Sequence, residues 1–244
     1  MAILRNAHFD GQTTGYVNTG NEPGIDGIVN TNPLYTTAYV LHGQAAMLSE
    51  NGGVASTVRQ NLPSPAGSAH WRAYVNRVGT NASNAAFAVA RDSSGNTTCA
   101  TLAVGSSGGI LLRDGFSTVA TSSYLWTVGS WVRLEWFVDR ANSTQSLDIY
   151  HGANLEGMTP SESLSGACTA GTSPLGNFLA GLNAAVTSAQ FAVDELAIGD
   201  APIGPFVPST ITVSVWDGAT EVAATVTVWD GATEVAASID SVAT

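Results

Sequence analysis

The chain has 244 residues and little charge: eight basic and 19 acidic side chains make up 11% of it, and every basic residue is an arginine. The net charge of −11 argues against nucleic acid as a partner, because phosphate contacts need clustered basic side chains. It also argues against polybasic attachment to a membrane. An apolar content of 44% is sufficient for a hydrophobic core.

Residues typical of strands and turns replace the missing charge. Segments that alternate between apolar and polar residues, or form short apolar runs, are separated by Gly-, Ser- and Asn-rich turns, which predicts an all-β fold. In chain order these predicted strands are residues 45–49, 70–78, 85–91, 97–104, 110–113, 131–139, 146–151 and 190–198. Residues 174–182 fit either a short helix or an extended connection.

The alternation also predicts which way side chains point. Within 70–78, Trp71 and Val75 share one face, while Arg72 and Tyr74 share the other, because successive side chains of a strand point to opposite sides. Within 131–139 we expect Trp136, with apolar neighbours two residues away on either side, to lie in the core.

A boundary and a repeat divide the chain. The segment DAPIGPFVPST is rich in proline, which stops strands and stiffens a linker. Beyond it VSVWDGATEVAA (213–224) recurs as VTVWDGATEVAA (226–237), and each copy predicts two strands joined by an Asp-Gly turn. The predicted organisation is a sandwich over 1–204, a linker over 205–210, and a small C-terminal β-repeat meander over 211–244.

Two resemblances follow from these motifs. The strand and hairpin WVRLEWFVDRANSTQSLDIYH, with the late strand FAVDELAIGD, resemble the laminin-G-like, concanavalin A-like jelly-roll sandwich, which implies that fold for about residues 1–205. The tandem VWDGATEV copies are similar to repeats of minor tail and other virion proteins from phages that infect actinobacteria. That resemblance implies a structural role in a phage particle.

Catalytic patterns are weak. Some jelly-roll proteins are glycosidases, whose chemistry needs two closely spaced carboxylates on one face. Here Glu135 and Asp139 lie four residues apart, and the adjacent Asp194 and Glu195 are expected on opposite faces. An ion pair with Arg133 is the expected role of Glu135. The four histidines lie in unrelated segments and no nucleophile elbow is present, so we expect no enzymatic activity.

Cofactor and disulfide signals are also sparse. We expect no cofactor, although loop acids such as Asp10, Asp26 and Asp92 could join backbone carbonyls around a calcium ion, which takes oxygen ligands. Two cysteines, Cys99 and Cys168, are too few for a disulfide scaffold. Two separate buried thiols are favoured over a bridge, which stays possible if the fold brings them together.

Two surfaces are candidates for function. A glycan-binding face would use Trp131, Arg133 and Glu135 on one strand, and Arg72 and Tyr74 on another, because sugar sites combine aromatic faces with a few polar groups. An assembly surface would use the matched repeat residues Trp216, Asp217, Trp229 and Asp230.

The leading prediction is therefore a non-enzymatic phage virion component, assembled in the host cytoplasm. A minor tail protein is the first choice, with a capsid decoration protein as one alternative and a carbohydrate-binding module for a host envelope glycan as the other. The expected partners are other virion proteins and further copies of this chain, with a trimer plausible. A host surface glycan is an additional candidate, and neither nucleic acid nor a membrane is expected.

Overall fold

The structure is a computed structural model. It describes residues 2–9, 14–20, 22–49, 55–80, 84–183 and 189–206, together with the backbone of 210–216 and 221–227. The described strands pair antiparallel in two large sheets and one separate hairpin. The one described helix is the three-residue 3-10 turn Gly152–Asn154, and the described part of the chain contains no helix long and apolar enough to cross a membrane.

The 8-stranded sheet, called sheet A, contains the strands that matter most for the candidate site. Its spatial order is β13 (Glu162–Ala167), β12 (Thr144–His151), β11 (Trp131–Asp139), β6 (Ser68–Arg77), β15 (Phe191–Gly199), β4 (Ala46–Leu48) and β3 (Leu34–Thr36), and β1 (Ile3–Ala7) also pairs with β15.

The 7-stranded sheet, called sheet B, packs against sheet A. Its spatial order is β10 (Ser117–Leu125), β9 (Gly109–Asp114), β8 (Thr98–Val104), β7 (Ala85–Asp92), β14 (Leu175–Leu182), β5 (Ser56–Ala66) and β2 (Gly27–Asn30). The all-β prediction is confirmed, and two antiparallel sheets around one core form a jelly-roll sandwich.

Large aromatic side chains join the two sheets. Trp136 of β11 pairs across the strands with Trp71 of β6, and their rings meet edge to face with centroids 6.1 Å apart. Trp136 also meets Phe178 of sheet B at 5.8 Å. Each such pair is worth about 0.5–1.5 kcal/mol beyond the area that it buries. All three residues are buried, as predicted for Trp136.

The ambiguous segment 174–182 is a strand. Leu175–Leu182 forms β14 in the middle of sheet B, paired with β5 on one side and β7 on the other. Most of its residues are buried, so the segment has no simple polar and apolar alternation. A central strand covered on both faces gives an almost continuous apolar pattern, which periodicity alone does not distinguish from a buried helix.

A bulge in β15 overturns one prediction about its two acids. The register with β6 shifts between Asp194 and Ala197, and Glu195 has a left-handed φ of 48°. The extra residue interrupts the alternation. Asp194 accepts hydrogen bonds from the backbone N–H groups of Leu41 and His42. Glu195 pairs with His8, so both carboxylates bind loops on the outer side of sheet A.

The first copy of the C-terminal repeat forms a hairpin. β16 (Thr210–Trp216) pairs with β17 (Glu221–Thr227), with Val213 opposite Ala224. Two strands were predicted for this copy and two are present; the residues between them, 217–220, lie outside the described residues. The side chain of Trp216 and all of Asp217, Trp229 and Asp230 lie outside the described residues, so the assembly surface stays a prediction.

Candidate functional site

The predicted glycan residues lie together on the outer side of sheet A, in rows that run across β6, β11 and β12. The strict antiparallel register creates these rows, because it places outward side chains of neighbouring strands side by side. From one end to the other the rows are Asn76 with Trp131; Tyr74 with Arg133 and Tyr150; Arg72 with Glu135 and Asp148; and His70 with Phe137 and Ser146.

Arg133 is the centre of this face and is completely buried. Its two terminal nitrogens donate to the carbonyl oxygens of Leu155 at 2.9 Å and Gly157 at 2.6 Å. Its Nε lies 3.1 Å from Glu135 Oε1, the ion pair expected from the sequence. The guanidinium also covers the ring of Tyr150. Arg133 therefore anchors the loop that follows β12 onto the sheet.

Arg72 anchors a second covering segment. It donates through Nη1 to the carbonyl of Gly204 at 3.1 Å and through Nε to that of Glu195 at 3.3 Å. Burial lowers the pKa of Arg72 below its usual value. The N–H of Gly204 donates to Glu135 Oε2 at 3.3 Å. The chain that leaves β15 is thus fixed across this face by charged side chains.

Tyr74 lies under both covering segments. Its hydroxyl donates to a carboxylate oxygen of Glu156 and accepts from the backbone N–H of Phe206 at 2.9 Å. His42 Nε2 lies 3.1 Å from the other carboxylate oxygen of Glu156. Burial, followed by the bond to Glu156, raises the pKa of Tyr74. These contacts form a closed polar network rather than an open binding surface.

An open cleft remains beside this network. It has a volume of about 360 Å³ and will be called the sheet A cleft. It is lined by Arg133, Glu135, Asp148, Tyr150, Met158 and residues 202–205. Met158 is 77% exposed at one wall. The carboxylates of Glu135 and Asp148 at the floor, with apolar walls, give a site that can hydrogen-bond a polyhydroxylated ligand.

A half-buried pair of stacked rings lies in the next row along β11, beside the row that contains Glu135. His70 and Phe137 stack with centroids 4.4 Å apart. Phe137 is two residues from Glu135, and therefore lies on the same side of the sheet. Burial lowers the pKa of His70, although the charge of Asp200 opposes this shift. Carboxylates next to an aromatic pair are a common arrangement for binding sugar rings.

The structure changes the composition of the predicted glycan face. The five predicted residues do lie together, but Arg72, Tyr74 and Arg133 are buried and their polar groups bind the protein's own loops. The residues that sequence reasoning missed are Asp148, Tyr150, Phe137 and His70. The two-residue period from Glu135 indicated Phe137, whereas the other three required the register between strands.

Two of the three candidate calcium ligands, Asp26 and Asp92, bind groups of the protein itself. Asp26 accepts from Arg5 Nε at 3.3 Å and from the N–H of Asn61 at 2.8 Å. Asp92 accepts from Ser94 at 2.6 Å, and Asp10 lies outside the described residues. Within the described ranges no group of three potential metal ligands was found. The expectation of no cofactor stays a prediction.

The two cysteines are neighbours in the core but are not bonded. Both are free and buried, and Cys168 Sγ faces the carbonyl oxygen of Cys99 at 3.8 Å. Burial raises the pKa of the Cys99 thiol to about 11. This agrees with the favoured prediction of two separate buried thiols.

Sequence comparisons give no relative. No protein-family model matches the chain, and no curated protein is significantly similar to it.

Solved structures do match. The carbohydrate esterase vb_24B_21 of Shiga toxin-encoding bacteriophage phi24B aligns with a TM-score of 0.54 at 9% identity, over 81% of this chain and 97% of that one. Trypanosoma rangeli sialidase aligns with a TM-score of 0.52 at 10% identity, over 83% of this chain but only 31% of the sialidase. Lectin II from Ulex europaeus aligns at 0.47, with 7% identity over 81% of this chain and 98% of the lectin.

The fold is a concanavalin A-like jelly-roll sandwich. At identities of 9% and 10%, the esterase and sialidase alignments support the architecture alone. The fold expected from the sequence resemblance is confirmed.

Proposed function

We propose that this chain is a non-catalytic carbohydrate-binding module whose ligand occupies the sheet A cleft. The observation that carries the proposal is the placement of Glu135 and Asp148, opposite each other on β11 and β12, at the floor of the sheet A cleft. The stacked rings of His70 and Phe137 lie in the next outward row along β11. Carboxylates accept hydrogen bonds from sugar hydroxyls, and ring faces cover the apolar side of a sugar.

The buried network supports this role by holding the cleft rigid. Glu135 is oriented by Arg133 on one side and by the N–H of Gly204 on the other. Asp148 is oriented by a hydrogen bond from Ser163. Side chains that are already ordered lose little conformational entropy when a ligand binds. The shared fold with a phage carbohydrate esterase is consistent with this class of ligand.

Affinity electrophoresis through gels that contain soluble polysaccharides tests the proposal. We expect Phe137→Ala and Asp148→Asn each to weaken retention about fivefold to tenfold, which corresponds to the loss of one ring contact or one hydrogen-bond acceptor. Phe116→Ala is the matched control, because Phe116 is 69% exposed in the turn between β9 and β10 of the other sheet. The proposal would be wrong if the parent and all three variants were retained equally by every polysaccharide that retains the parent.

The absence of catalysis is part of the proposal and has its own test. Incubating the protein with a polysaccharide that retains it should release no reducing ends. Turnover that is present in the parent and lost in Glu135→Gln would instead assign a hydrolase, with Glu135 in contact with the scissile bond.

A second proposed function is a structural component of a phage particle, with the C-terminal repeat as the docking or oligomerising segment. The hairpin of β16 and β17 supports it, because an isolated two-stranded hairpin is marginal in water and needs a partner surface. Within this second function, a minor tail protein is the first choice and a capsid decoration protein is the alternative. Deletion of residues 208–244 should lower the oligomer mass in light scattering, while an unchanged mass and unchanged particle incorporation would contradict the role.

A further inference from the structure

The outer side of sheet B contains a second cleft, called the sheet B cleft, with a volume of about 400 Å³. This lies within the range of roughly 300–1,000 Å³ that is usual for small-molecule sites. It is lined by Arg59, residues 61–65, residues 93–95, Gly176 and Asn177.

An interruption of β5 builds one wall of this cleft. Asn61 pairs with Asn177 of β14, but the next paired residue, Leu175, lies opposite Ala66. Four residues of β5 therefore face a single residue of β14. Pro63 and Pro65 fall in this stretch, and proline has no N–H to donate to a sheet. The segment bulges outward because it does not hydrogen-bond regularly.

The turn between β7 and β8 builds the opposite wall. It crosses directly above Gly176, where an added Cβ would lie 2.5 Å from Ser93 Cα. Arg91 fixes this turn by donating to the carbonyl of Gly95 at 3.2 Å. Ser94 donates to Asp92 at 2.6 Å, so the carboxylate of Asp92 is held within its own turn.

The polar groups in this cleft are cationic or neutral. Arg59 and Arg91 form no ion pair with any described residue. Among the described residues, the buried Nε atoms of both arginines and the Oδ1 atom of Asn177 have no hydrogen-bond partner. Asn177 is only 6% exposed. Asp26, next to β2, is already bound by Arg5 and by the N–H of Asn61.

Arg59 and Arg91 place two guanidinium groups on one face of the sheet without a carboxylate partner among the described residues. Repulsion between these positive charges is unfavourable unless an anion binds beside them. Burial, and then the positive charge of Arg59, lowers the pKa of Arg91. In a protein of net charge −11, unpaired cations beside an open cleft form a local attraction for an anionic ligand. A guanidinium binds carboxylate, sulfate and phosphate oxygens in a bidentate manner.

We propose that the sheet B cleft is a second ligand site, which binds a saccharide unit carrying an oxyanion. Arg59 holds the anion, and the amides of Asn61 and Asn177 bind ring hydroxyls beside the surfaces of Pro63 and Pro65. The buried Oδ1 of Asn177 has no hydrogen-bond partner among the described residues, and leaving such a group unpaired costs about 1–3 kcal/mol. A sugar hydroxyl can donate to this oxygen, whereas a bare anion cannot. The site lies on the opposite sheet from the sheet A cleft and does not depend on it.

Gly27 of β2 offers a way to move Arg59 without removing its charge. The guanidinium of Arg59 lies over Gly27, and an added Cβ there would be 2.7 Å from Nη2. Gly27→Ala should displace this flexible end, leaving the charge in the protein but away from its present position.

An NMR titration of the full chain with sodium glucuronate, glucose and sodium sulfate tests the site. We expect glucuronate to shift the side-chain amide of Asn177 and the backbone amides of residues 93–95, and to bind at least about tenfold more tightly than glucose or sulfate. Arg59→Met and Gly27→Ala should each weaken glucuronate binding about tenfold. Arg113→Met, on the same sheet but outside the cleft, should leave it unchanged.

Each other result has a defined meaning. No shift with glucuronate, or equal affinity for glucose, overturns the proposal. Sulfate binding as tight as glucuronate overturns the saccharide part and leaves a simple anion site. Phe137 lies on sheet A, so the effect of Phe137→Ala on polysaccharide retention reports on the sheet A cleft alone. Either proposal can therefore be refuted while the other one stands.

Discussion

The guanidinium carbon of Arg133 lies 3.7 Å from the ring centroid of Tyr150, its partner directly across β11 and β12. The stacked pair forms the floor of the sheet A cleft, while the terminal nitrogens of Arg133 reach over to the loop carbonyls of Leu155 and Gly157. One side chain therefore links the sheet, the covering loop and the open cleft.

Replacing Arg133 should destabilise the domain. Arg133→Met keeps much of the side-chain volume but leaves two loop carbonyls and Glu135 without their partner. We expect the free energy of unfolding to fall by about 3 kcal/mol, the usual cost of breaking a buried charged network. Urea denaturation followed by tryptophan fluorescence measures it. Arg5→Met is the control: the Arg5–Asp26 pair is partly exposed and should be worth at most about 1 kcal/mol.

Glu156 should make stability depend on pH. Partial burial by itself raises the pKa of Glu156, but the bonds from His42 and Tyr74 outweigh it and hold the pKa below the usual 4.5. A carboxyl with a lowered folded-state pKa stabilises the fold fully above its unfolded-state pKa and loses this contribution as pH falls through the folded-state value.

The difference in stability between the parent and Glu156→Gln should therefore be present at pH 7 and shrink below about pH 4.5, the usual carboxyl range. Thermal unfolding of both proteins across this interval measures the difference. A gap of constant size at every pH would show that the substitution acts through shape rather than through charge.

The two thiols should be unreactive in the folded protein. Burial raises the pKa of Cys99 to about 11 and also raises that of Cys168, and the thiolate is the reactive form. We expect no reaction with Ellman's reagent at pH 8 under native conditions, and reaction of both thiols in denaturant without any reductant. A denatured chain that reacts only after reduction would mean that the cysteines are bridged.

Replacing Gly176 with a larger residue should destabilise the fold. An added Cβ would meet Ser93 Cα at 2.5 Å and the carbonyl oxygen of Asp92 at 2.7 Å, and both are backbone atoms that cannot rotate away. Gly176→Ala should cost about 1–3 kcal/mol through overpacking. Gly67→Ala serves as the comparison, since the nearest atom there, Ala141 Cβ, is an ordinary 3.5 Å away. Equal melting temperatures would contradict the close approach.

The strands with a clear alternation were predictable from the sequence. β11 spans Trp131–Asp139 as predicted. The side chains of Arg72 and Tyr74 point away from the core as expected, because a two-residue period assigns each side chain of a strand to a face. The β14 segment was not predictable, since burial on both faces removes that period. The bulge at Glu195 was also missed, since its side chain bonds to His8, 187 residues away in sequence.

Composition and periodicity by themselves determined that this chain is all-β, that Trp136 enters its core, and that Arg133 and Glu135 share a face. Those properties depend on neighbours within one strand, which the sequence contains. Only the tertiary structure decided that Arg72, Tyr74 and Arg133 are covered by other segments of the chain. It also decided that Asp148 lines an open cleft, and that Arg59 has no carboxylate partner among the described residues. These properties depend on which distant segments come into contact. Local sequence patterns do not predict which strands pair when more than a hundred residues separate them.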